Sequence, residues 1–468
     1  MPYNRRPAAA PIALAVIVAC QLMFVLDATV VNIALVPIQN TLHFSKANLA
    51  WVIDAYSLAF GGLLLLGGRA GDVYGRRRLL MGGLALFTTA SLVGGLATSA
   101  SMLLLARAVQ GIGAAMAAPS TLSLISSIYE EGPARNRALG VFTAVSAGGG
   151  SLGLILGGAL TSWVSWRWVL MINVPIGILV IALAPRFVPE PARNGGRLDI
   201  PGAVLVTSGL GAVIYGFIRL AEQGSRDVTI ATFVIGAALL TSFVRVEKKV
   251  EEPLFPFRLL ASRTRAASYI DMMLVPGVMY GVFYFVSQYL EGTLHFSAIR
   301  AGFAFLPLTA MIFTLSRITP RLVSRIGARP LLLFGLANLA LAAFWISRAH
   351  ATDGYFVSLF GPLLLFGLGA GTCFLPLSIT ILGGVPREDA GAASGMLQTM
   401  QQTGGALGVA ILSTIALAHG RSTALEVGSG IALVALVVAA LAVRPVRPDH
   451  LPSDEELAME MESLPLFE

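Results

Sequence analysis

Three charged residues lie inside long apolar runs of this sequence, and they are the first candidates for chemistry. Asp27 lies in LDATVVNIAL, Asp54 in WVIDAYSL and Arg107 in LLLARAVQGIGAA. A charge in the hydrocarbon core of a membrane costs about 2.5–3.5 kcal/mol on insertion scales, so such a residue needs a partner or a function. If these side chains meet, Arg107 would keep one carboxylate ionised, and the other could exchange a proton near neutral pH. A structural ion pair for Arg107 and an interfacial position for Asp54 are the alternatives.

Amide, phenol and carboxyl side chains form a second group of candidates, which we expect to line a binding cavity. They are Gln110, Tyr280, Tyr284, Gln288, Glu291, Gln398 and Gln402. The four from Tyr280 to Glu291 follow spacings of three and four residues and so share one helical face. A face that mixes aromatic rings with amide and carboxyl groups suits an amphipathic ligand, although ordinary helix packing is the alternative. Asp271 lies earlier in the same apolar run. It is either a functional carboxylate or a side chain at the membrane interface.

A short basic segment, GRAGDVYGRRR at residues 68–78, separates two apolar runs. Lys and Arg accumulate on the cytoplasmic side of membrane proteins, so this segment predicts a tight cytoplasmic turn between two helices. Its candidate functional residues are Gly68, Arg69, Asp72, Gly75, Arg76 and Arg77. Asp72 stands four residues before Arg76, which fits a simple ion pair or a part in a gate.

These residues must be positioned by membrane helices. The chain has 468 residues, of which 56% are hydrophobic and 12% charged, and its mean hydropathy is +0.78. Soluble domains carry about 25% charged residues, and a spanning helix needs about 20 mostly apolar ones. We therefore expect an all-α polytopic membrane protein with fourteen spans. They lie at roughly 12–35, 49–68, 79–98, 102–128, 138–162, 167–185, 200–220, 228–246, 267–290, 301–318, 331–348, 355–382, 391–418 and 425–443.

The distribution of charge and an internal repeat define the expected organisation. With both termini in the cytoplasm, most of the 32 Lys and Arg residues fall on the cytoplasmic side. The basic turn recurs in the second half, where alignment pairs Gly75 with Gly327, Arg69 with Arg321 and Arg77 with Arg329. Parallel six-helix repeats are typical of secondary transporters. The expected parts are an N-terminal six-helix bundle in 1–190, a linker with two additional spans in 191–262, a C-terminal six-helix bundle in 263–445, and an acidic cytoplasmic tail in 446–468.

Glycines recur along the fifth apolar segment. Gly149, Gly153 and Gly157 are four residues apart, and Gly158 follows directly. Small residues at this spacing let two helix backbones touch. We expect this face to support a sliding or rocking contact between the two bundles.

Several functional classes are excluded. The pattern Gly149-x-Ser151-x-Gly153 matches a hydrolase nucleophile motif, but it lies inside a helix and lacks the strand–turn–helix context. The sequence has no phosphate-binding loop motif, which excludes a nucleotide-driven pump in this chain. Cytoplasmic loops account for the net charge of +7, so we expect no nucleic-acid partner. The two cysteines define neither a disulfide framework nor a metal site.

The motifs together resemble those of the major facilitator superfamily. GRAGDVYGRRR is similar to the loop between helices 2 and 3 of that family, and LLLARAVQGIGAA to its helix-4 motif. LDATVVNIAL is similar to the helix-1 signature of the fourteen-helix drug:proton antiporters, and WVIDAYSL, WRWVLMINVPIG and GAASGMLQTMQQTGGALGVAI resemble further segments of that branch. The resemblance covers about residues 12–443. One departure is Leu154, which replaces the proline of the helix-5 antiporter motif, so we expect a straighter helix 5.

The resemblance implies a fold and residue roles. The fold would be two six-helix bundles with two inserted helices, in the inner membrane of a bacterium. Arg107 and Asp27 would belong to a proton-relay region, joined by Asp54 in a coupled set. Asp72 would brace the cytoplasmic gate against the start of helix 13 in the outward-open state, and the substrate cavity would lie near the midplane between the bundles.

The expected function is proton-coupled efflux of small amphipathic compounds by alternating access, in a secondary transporter that is not an enzyme. It would use the proton gradient and need no cofactor or metal. Its partners would be the substrate, protons and the lipid bilayer, and it would act as a monomer. A specific exporter of one self-made metabolite, lipid or siderophore is the alternative. A proton-translocating respiratory subunit and a non-transporting membrane sensor are more distant possibilities.

Overall fold

The computed structural model of the chain describes residues 9–129, 133–191, 198–221, 225–250, 253–350, 352–386 and 389–444. The described residues form helices and turns, without strands. The main helices of the first half are α1 (Ala9–Leu42), α2 (Trp51–Tyr74), α3 (Arg76–Gly95), α4 (Ala100–Ile128), α5 (Pro133–Trp163), α6 (Trp168–Phe187) and α7 (Ile200–Ala221). Those of the second half are α8 (Arg226–Glu247), α9 (Arg263–Gln288), α10 (Ala298–Ile326), α11 (Ala328–Ser347), α12 (Phe356–Leu382), α13 (Ala390–His419) and α14 (Arg421–Ala442).

Some helices carry local irregularities. A π-helical turn, Tyr289–Thr293, extends α9, and another, Phe356–Phe360, begins α12. Short 3-10 helices at Asn48–Ala50 and Phe257–Ala261 precede α2 and α9. α5 runs without interruption through Leu154, as expected for a helix that lacks the motif proline.

Each predicted apolar segment corresponds to one of these helices. Among the described residues, thirteen helices are long and apolar enough to cross a membrane. The 31-residue helix α5 covers the remaining predicted segment. The chain is therefore an all-helical, multi-pass membrane protein. The predicted acidic tail at 446–468, and residues 192–197 of the predicted linker, lie outside the described residues.

The predicted internal repeat is visible in the backbone. Gly75 between α2 and α3 has φ 109°, and Gly327 between α10 and α11 has φ 85°, a region that favours glycine. Arg77 Nη1 donates to a backbone carbonyl just beyond α6 at 3.0 Å. Arg329 Nη2 makes the equivalent bond to a carbonyl near the end of α14, at 2.7 Å. We call the side of the molecule that carries these two turns the basic end.

The buried apolar side chains are arranged differently at the two ends. Toward the basic end, α1–α6 have a core of their own, which includes Ile17, Phe87 and Leu124. A second core joins both bundles. Its first-bundle residues, such as Val30 of α1, lie toward the opposite end, and in the second bundle it runs from there through Tyr284 of α9 to Ile381 near the basic end. Because the bundles share a core at one end, they are held together there and separate toward the basic end.

The inserted helix α7 packs on both bundles. A Cβ on Gly62 of α2 would lie 2.4 Å from Thr207 Oγ1, so α7 approaches α2 at this glycine. On its other side, Thr414 Oγ1 of α13 donates to the Phe217 carbonyl at 2.9 Å. α7 therefore covers the line along which α2 and α13 meet, and α8 packs outside it with most of its surface exposed.

Candidate functional site

Asp27 and Arg107 meet in the interior of the first bundle. Arg107 Nη1 donates to Asp27 Oδ2 at 2.5 Å. Arg107 is 1% exposed and Asp27 is 0% exposed. Asp27 lies in the middle of α1, and Arg107 is the eighth residue of α4. The loss of either partner would leave a buried charge without compensation.

Two amides complete the surroundings of Asp27. Gln110 Nε2 at 3.1 Å and Asn173 Nδ2 at 2.9 Å both donate to Asp27 Oδ1. Gln110 Nε2 also lies 2.7 Å from Ser91 Oγ. With Arg107, the carboxylate accepts three hydrogen bonds, as a buried charge requires. The sequence analysis missed Asn173 and Ser91; an amide inside the apolar WRWVLMINVPIG segment was the available signal.

Further contacts attach Arg107 to α2. Its Nε donates to the Val52 carbonyl at 3.0 Å, and its Cζ lies 4.4 Å from the ring centroid of Tyr56. A guanidinium over an aromatic face is favourable by about 0.5–2 kcal/mol. The guanidinium of Arg107 on α4 thus contacts Asp27 on α1 and two residues of α2 at once.

Asp54 does not belong to this hydrogen-bonded group. It is fully buried, and neither of its carboxylate oxygens has a hydrogen-bond partner among the described residues. Its neighbours in sequence Ile53 and Ser57 line a cavity between the bundles together with Tyr280 of α9. Of the predicted trio, the structure thus brings Asp27 and Arg107 together and places Asp54 on α2 near the boundary between the bundles.

The cavity at that boundary has a volume of about 80 Å³ and lies beside Arg107. Asn32 and Tyr56 line it from the first bundle, and Tyr280 and Gln402 from the second. The Tyr280 hydroxyl donates to Gln402 Oε1 at 3.0 Å. Ligand pockets have volumes of about 300–1,000 Å³, so this central cavity is too small for a drug-sized molecule in the present conformation.

The other predicted cavity residues lie in different places. Gln110 is buried in the group around Asp27. Tyr284 is buried, and Gln288 Nε2 lies 3.5 Å from its carbonyl oxygen. Glu291 lies in the π-helical turn, with a buried Oε1 that has no partner among the described residues. Gln398 lines a second, much larger cavity.

The larger cavity has a volume of about 760 Å³ and lies at the basic end between the two bundles. Its lining combines apolar side chains such as Leu65 and Phe255 with the carboxyl groups of Asp72, Glu247 and Asp389. This volume is typical of a drug-sized site. The molecule is thus open between the bundles at the basic end and closed at the opposite end.

The predicted gate residues lie at the rim of this cavity. Arg76 donates to Asp72 Oδ1 from Nη2 at 2.7 Å and from Nε at 3.0 Å. Gly68 and Arg69 line this cavity, and the first residues of α13 line it from the other bundle. In this conformation Asp72 therefore pairs within its own turn rather than with α13.

The same turn is capped by a residue that the sequence analysis missed. Glu190, just beyond α6, accepts hydrogen bonds from the backbone amides of Arg77 and Arg78 at 3.1 and 3.2 Å. A carboxylate at a helix N-terminus satisfies free amides and the helix dipole. Glu190 thereby fixes the start of α3 to the end of α6.

Asp271 of α9 is fully buried, and neither carboxylate oxygen has a partner among the described residues. α9 begins at Arg263, so Asp271 lies eight residues, or about 12 Å, along the helix axis. Asp271 therefore lies inside the second bundle rather than on its surface.

The glycines of α5 face two different helices. A Cβ on Gly153 would lie 1.9 Å from a side-chain oxygen of α1, and Gly149 and Gly157 face the same helix. These three close α5 onto α1 within the first bundle. Gly158 faces the second bundle, where a Cβ would lie 2.5 Å from the Ala298 carbonyl oxygen of α10. Of the four glycines, Gly158 makes the contact between bundles.

Comparison with known sequences gives consistent matches. The family model described as Major Facilitator Superfamily matches residues 17–409. The puromycin resistance protein pur8 of Streptomyces alboniger is 42% identical over 408 residues, which cover 86% of this chain and 81% of that protein. The cephamycin export protein CmcT of Amycolatopsis lactamdurans is 39% identical over 444 residues, which cover 93% and 91%.

A solved structure shares the fold. The xylose transporter XylE from E. coli, in a partially occluded inward-open conformation, superposes with a TM-score of 0.65. The match covers 94% of this chain and 99% of that chain, at 15% sequence identity. The likeness concerns the arrangement of helices, since the sequences have diverged.

Proposed function

Because the chain belongs to the Major Facilitator Superfamily, whose members are transporters, we propose that it exports small amphipathic, antibiotic-like compounds in exchange for protons. Relatives named for puromycin resistance and cephamycin export support this class of substrate. The proposed setting is a bacterial plasma membrane, with fourteen spans and both termini in the cytoplasm. The arginines at the basic end support this orientation, since they would then face the cytoplasm.

The observation that carries the proposal is the buried ion pair of Asp27 and Arg107 beside the central cavity. Arg107 lines that cavity and binds α1 and α2 at once. Protonation of Asp27 would remove its charge and free the guanidinium. The freed group would rearrange its contacts where the two bundles meet, which couples proton binding to the bundle arrangement.

In the proposed cycle the protein opens alternately at the basic end and at the opposite end. Substrate binds from the cytoplasm in the large cavity at the basic end and moves to the midplane as that end closes. Asp27 takes up a proton from the opposite side, with Asp54 as a second carboxyl group at the same boundary. Neutralisation of the buried charge favours substrate release outside, and loss of the proton to the cytoplasm resets the carrier.

Substrate-induced proton release from the purified protein tests the function directly. A compound panel would include puromycin, a cephamycin and lincomycin, for which relatives are named. We expect at least one compound to displace protons and to be transported in proteoliposomes under a pH gradient. Transport that proceeds equally well without a pH difference would contradict the coupling.

Export of a single self-made compound is a second candidate, because two relatives are named for one antibiotic each. Growth inhibition measured against a broad compound panel distinguishes the two. A promiscuous exporter would protect cells from several unrelated compounds, whereas a specific one would protect them from a single chemical class.

Asp72→Ala is expected to slow transport more than it weakens binding. In the proposed cycle Asp72 braces the closed basic end, so its loss raises the barrier to closure, while the apolar side chains and the other carboxyl groups of the cavity remain. We expect a transport rate about tenfold lower, equivalent to about 1.4 kcal/mol, with the Kd nearly unchanged.

Transport assays and equilibrium binding on the same preparation measure both quantities. The matched control is Glu426→Ala, which removes a partly exposed carboxylate that pairs with Arg348 at 3.2 Å at the opposite end. A loss of affinity without a change in rate would count against the gate.

A further inference from the structure

Two acidic residues of the inserted helices lie side by side at the basic end. Asp199 immediately precedes α7, and Glu247 is the last residue of α8. Their exposed fractions are 5% and 2%. Their carboxyl groups face each other, and Glu247 also lines the large cavity. Neither residue belongs to the proton-exchange group around Asp27.

Backbone amides bind one oxygen of each carboxyl group. Asp199 Oδ1 accepts from the Gly202 amide at 2.9 Å, and Glu247 Oε2 accepts from the Phe255 amide at 3.2 Å. The other two oxygens converge on one point. A Cβ on Gly202 would lie 2.3 Å from Asp199 Oδ2 and 2.9 Å from Glu247 Oε1.

These two converging oxygens, Asp199 Oδ2 and Glu247 Oε1, have no hydrogen-bond donor among the described residues. If both groups are ionised, two buried anionic oxygens face each other. One proton placed between them turns the repulsion into a carboxyl–carboxylate hydrogen bond. We propose that Asp199 and Glu247 form a second proton-binding site, which takes one shared proton from water in the large cavity.

The charged groups on neighbouring elements have other partners or face the cavity. Arg258 of the following 3-10 helix pairs with Asp389. Across the cavity, Arg76 of the α2–α3 turn pairs with Asp72. Lys248, adjacent to Glu247 in sequence, lines the cavity. Arg69 of α2 lines the cavity as well. The charged group that lies beside Glu247 at Gly202 is Asp199.

The shared proton affects the wall of the large cavity. Glu247 holds the amide of Phe255, and the residues from Pro253 to Arg258 line the cavity. Loss of the proton makes the two carboxylates repel, which loosens α8 and this segment. Proton binding at the inserted helices therefore stabilises the cavity wall, separately from exchange at Asp27.

Infrared difference spectroscopy of the full chain in lipid nanodiscs tests the site without transport. The difference between the wild-type and Glu247→Gln spectra should contain a protonated carboxyl band that disappears as the pH rises. Glu247→Gln should abolish this band. Asp199→Asn should move its disappearance to lower pH by about one unit or more, because a neighbouring negative charge is removed.

Two control variants isolate the signal. Asp227→Asn, on the exposed first turn of the same helix α8, should leave the band unchanged. Asp27→Asn should also leave the carboxyl band unchanged. The band therefore tests the site at Asp199 and Glu247, whereas transport by Asp27→Asn tests the proposed transport mechanism. Wild-type and Glu247→Gln spectra that contain the same protonated carboxyl bands at every pH would overturn the proposal.

A thiol probe in the cavity wall provides a second measurement. Val250 lines the cavity, and both natural cysteines are buried, so Val250→Cys introduces an accessible thiol. Its labelling rate, corrected for the thiolate fraction, should rise with pH in the wild-type background and stay constant with Glu247→Gln. An equal pH response in both backgrounds would also contradict the shared proton.

Discussion

Proton-driven efflux is expected to fall to background when Asp27 is replaced by asparagine. The amide keeps the volume of the side chain and can still accept a hydrogen bond from Arg107, so we expect normal insertion. It cannot carry the charge that pairs with Arg107 at 2.5 Å. Because asparagine does not bind and release a proton, the pH gradient cannot favour one arrangement of the bundles over the other through this residue.

The measurement is transport in proteoliposomes with and without a pH gradient. Substrate-for-substrate exchange should continue with Asp27→Asn, because exchange requires the carrier to alternate without net proton movement. Asp353→Asn removes a carboxylate next to His350 near the opposite end and serves as the control. If Asp27→Asn transports uphill at the wild-type rate, Asp27 has no part in coupling.

Gly158→Val is expected to shift the carrier away from the conformation seen here. A Cβ at Gly158 would lie 2.5 Å from the Ala298 carbonyl oxygen and 2.8 Å from Ile299 Cα. The closed opposite end has no room for a branched side chain. Overpacking costs about 1–3 kcal/mol, which shifts an equilibrium by about five- to 150-fold. We expect transport to fall by at least about tenfold.

Thiol labelling measures this shift. Ser287 is buried at the closed end, where its hydroxyl donates to the Asn32 carbonyl of the other bundle at 2.7 Å. A Ser287→Cys thiol should react faster from the opposite end in the Gly158→Val background. Gly150→Val is the matched control on α5, because the nearest atom to its Cβ is 3.9 Å away. Unchanged labelling and transport would show that α5 and α10 tolerate the added volume.

The architecture could be predicted from the sequence because its signals are strong. Long apolar segments predict helices, and the glycine–arginine turns predict the repeat that Gly75 and Gly327 display. A buried charge is expensive enough that Asp27 and Arg107 were recognisable as candidates before their contact was known.

Contacts between particular helices could not be predicted in the same way. Periodicity gives the face and the depth of a side chain, and it does not identify the helix opposite. The glycines at 149, 153 and 157 therefore predicted a close contact, whereas the structure shows that the contact is with α1. Asn173 is inconspicuous in sequence because an amide carries no charge and is less costly than an ion in an apolar segment.

The pair of Asp199 and Glu247 shows a further limit. Both residues occur near helix ends, where acidic residues are common and need no explanation. Their significance depends on the approach of α7 and α8 at Gly202, which a single sequence does not reveal.

The position of α7 makes the two flanks of the protein unequal for molecules that arrive sideways through the lipid. On one flank α7 seals the seam between α2 and α13. On the other, where α5 meets α10, no inserted helix of the described residues lies over the seam. A hydrophobic compound that approaches through the lipid would thus meet α7 on one flank and the direct contact of α5 with α10 on the other.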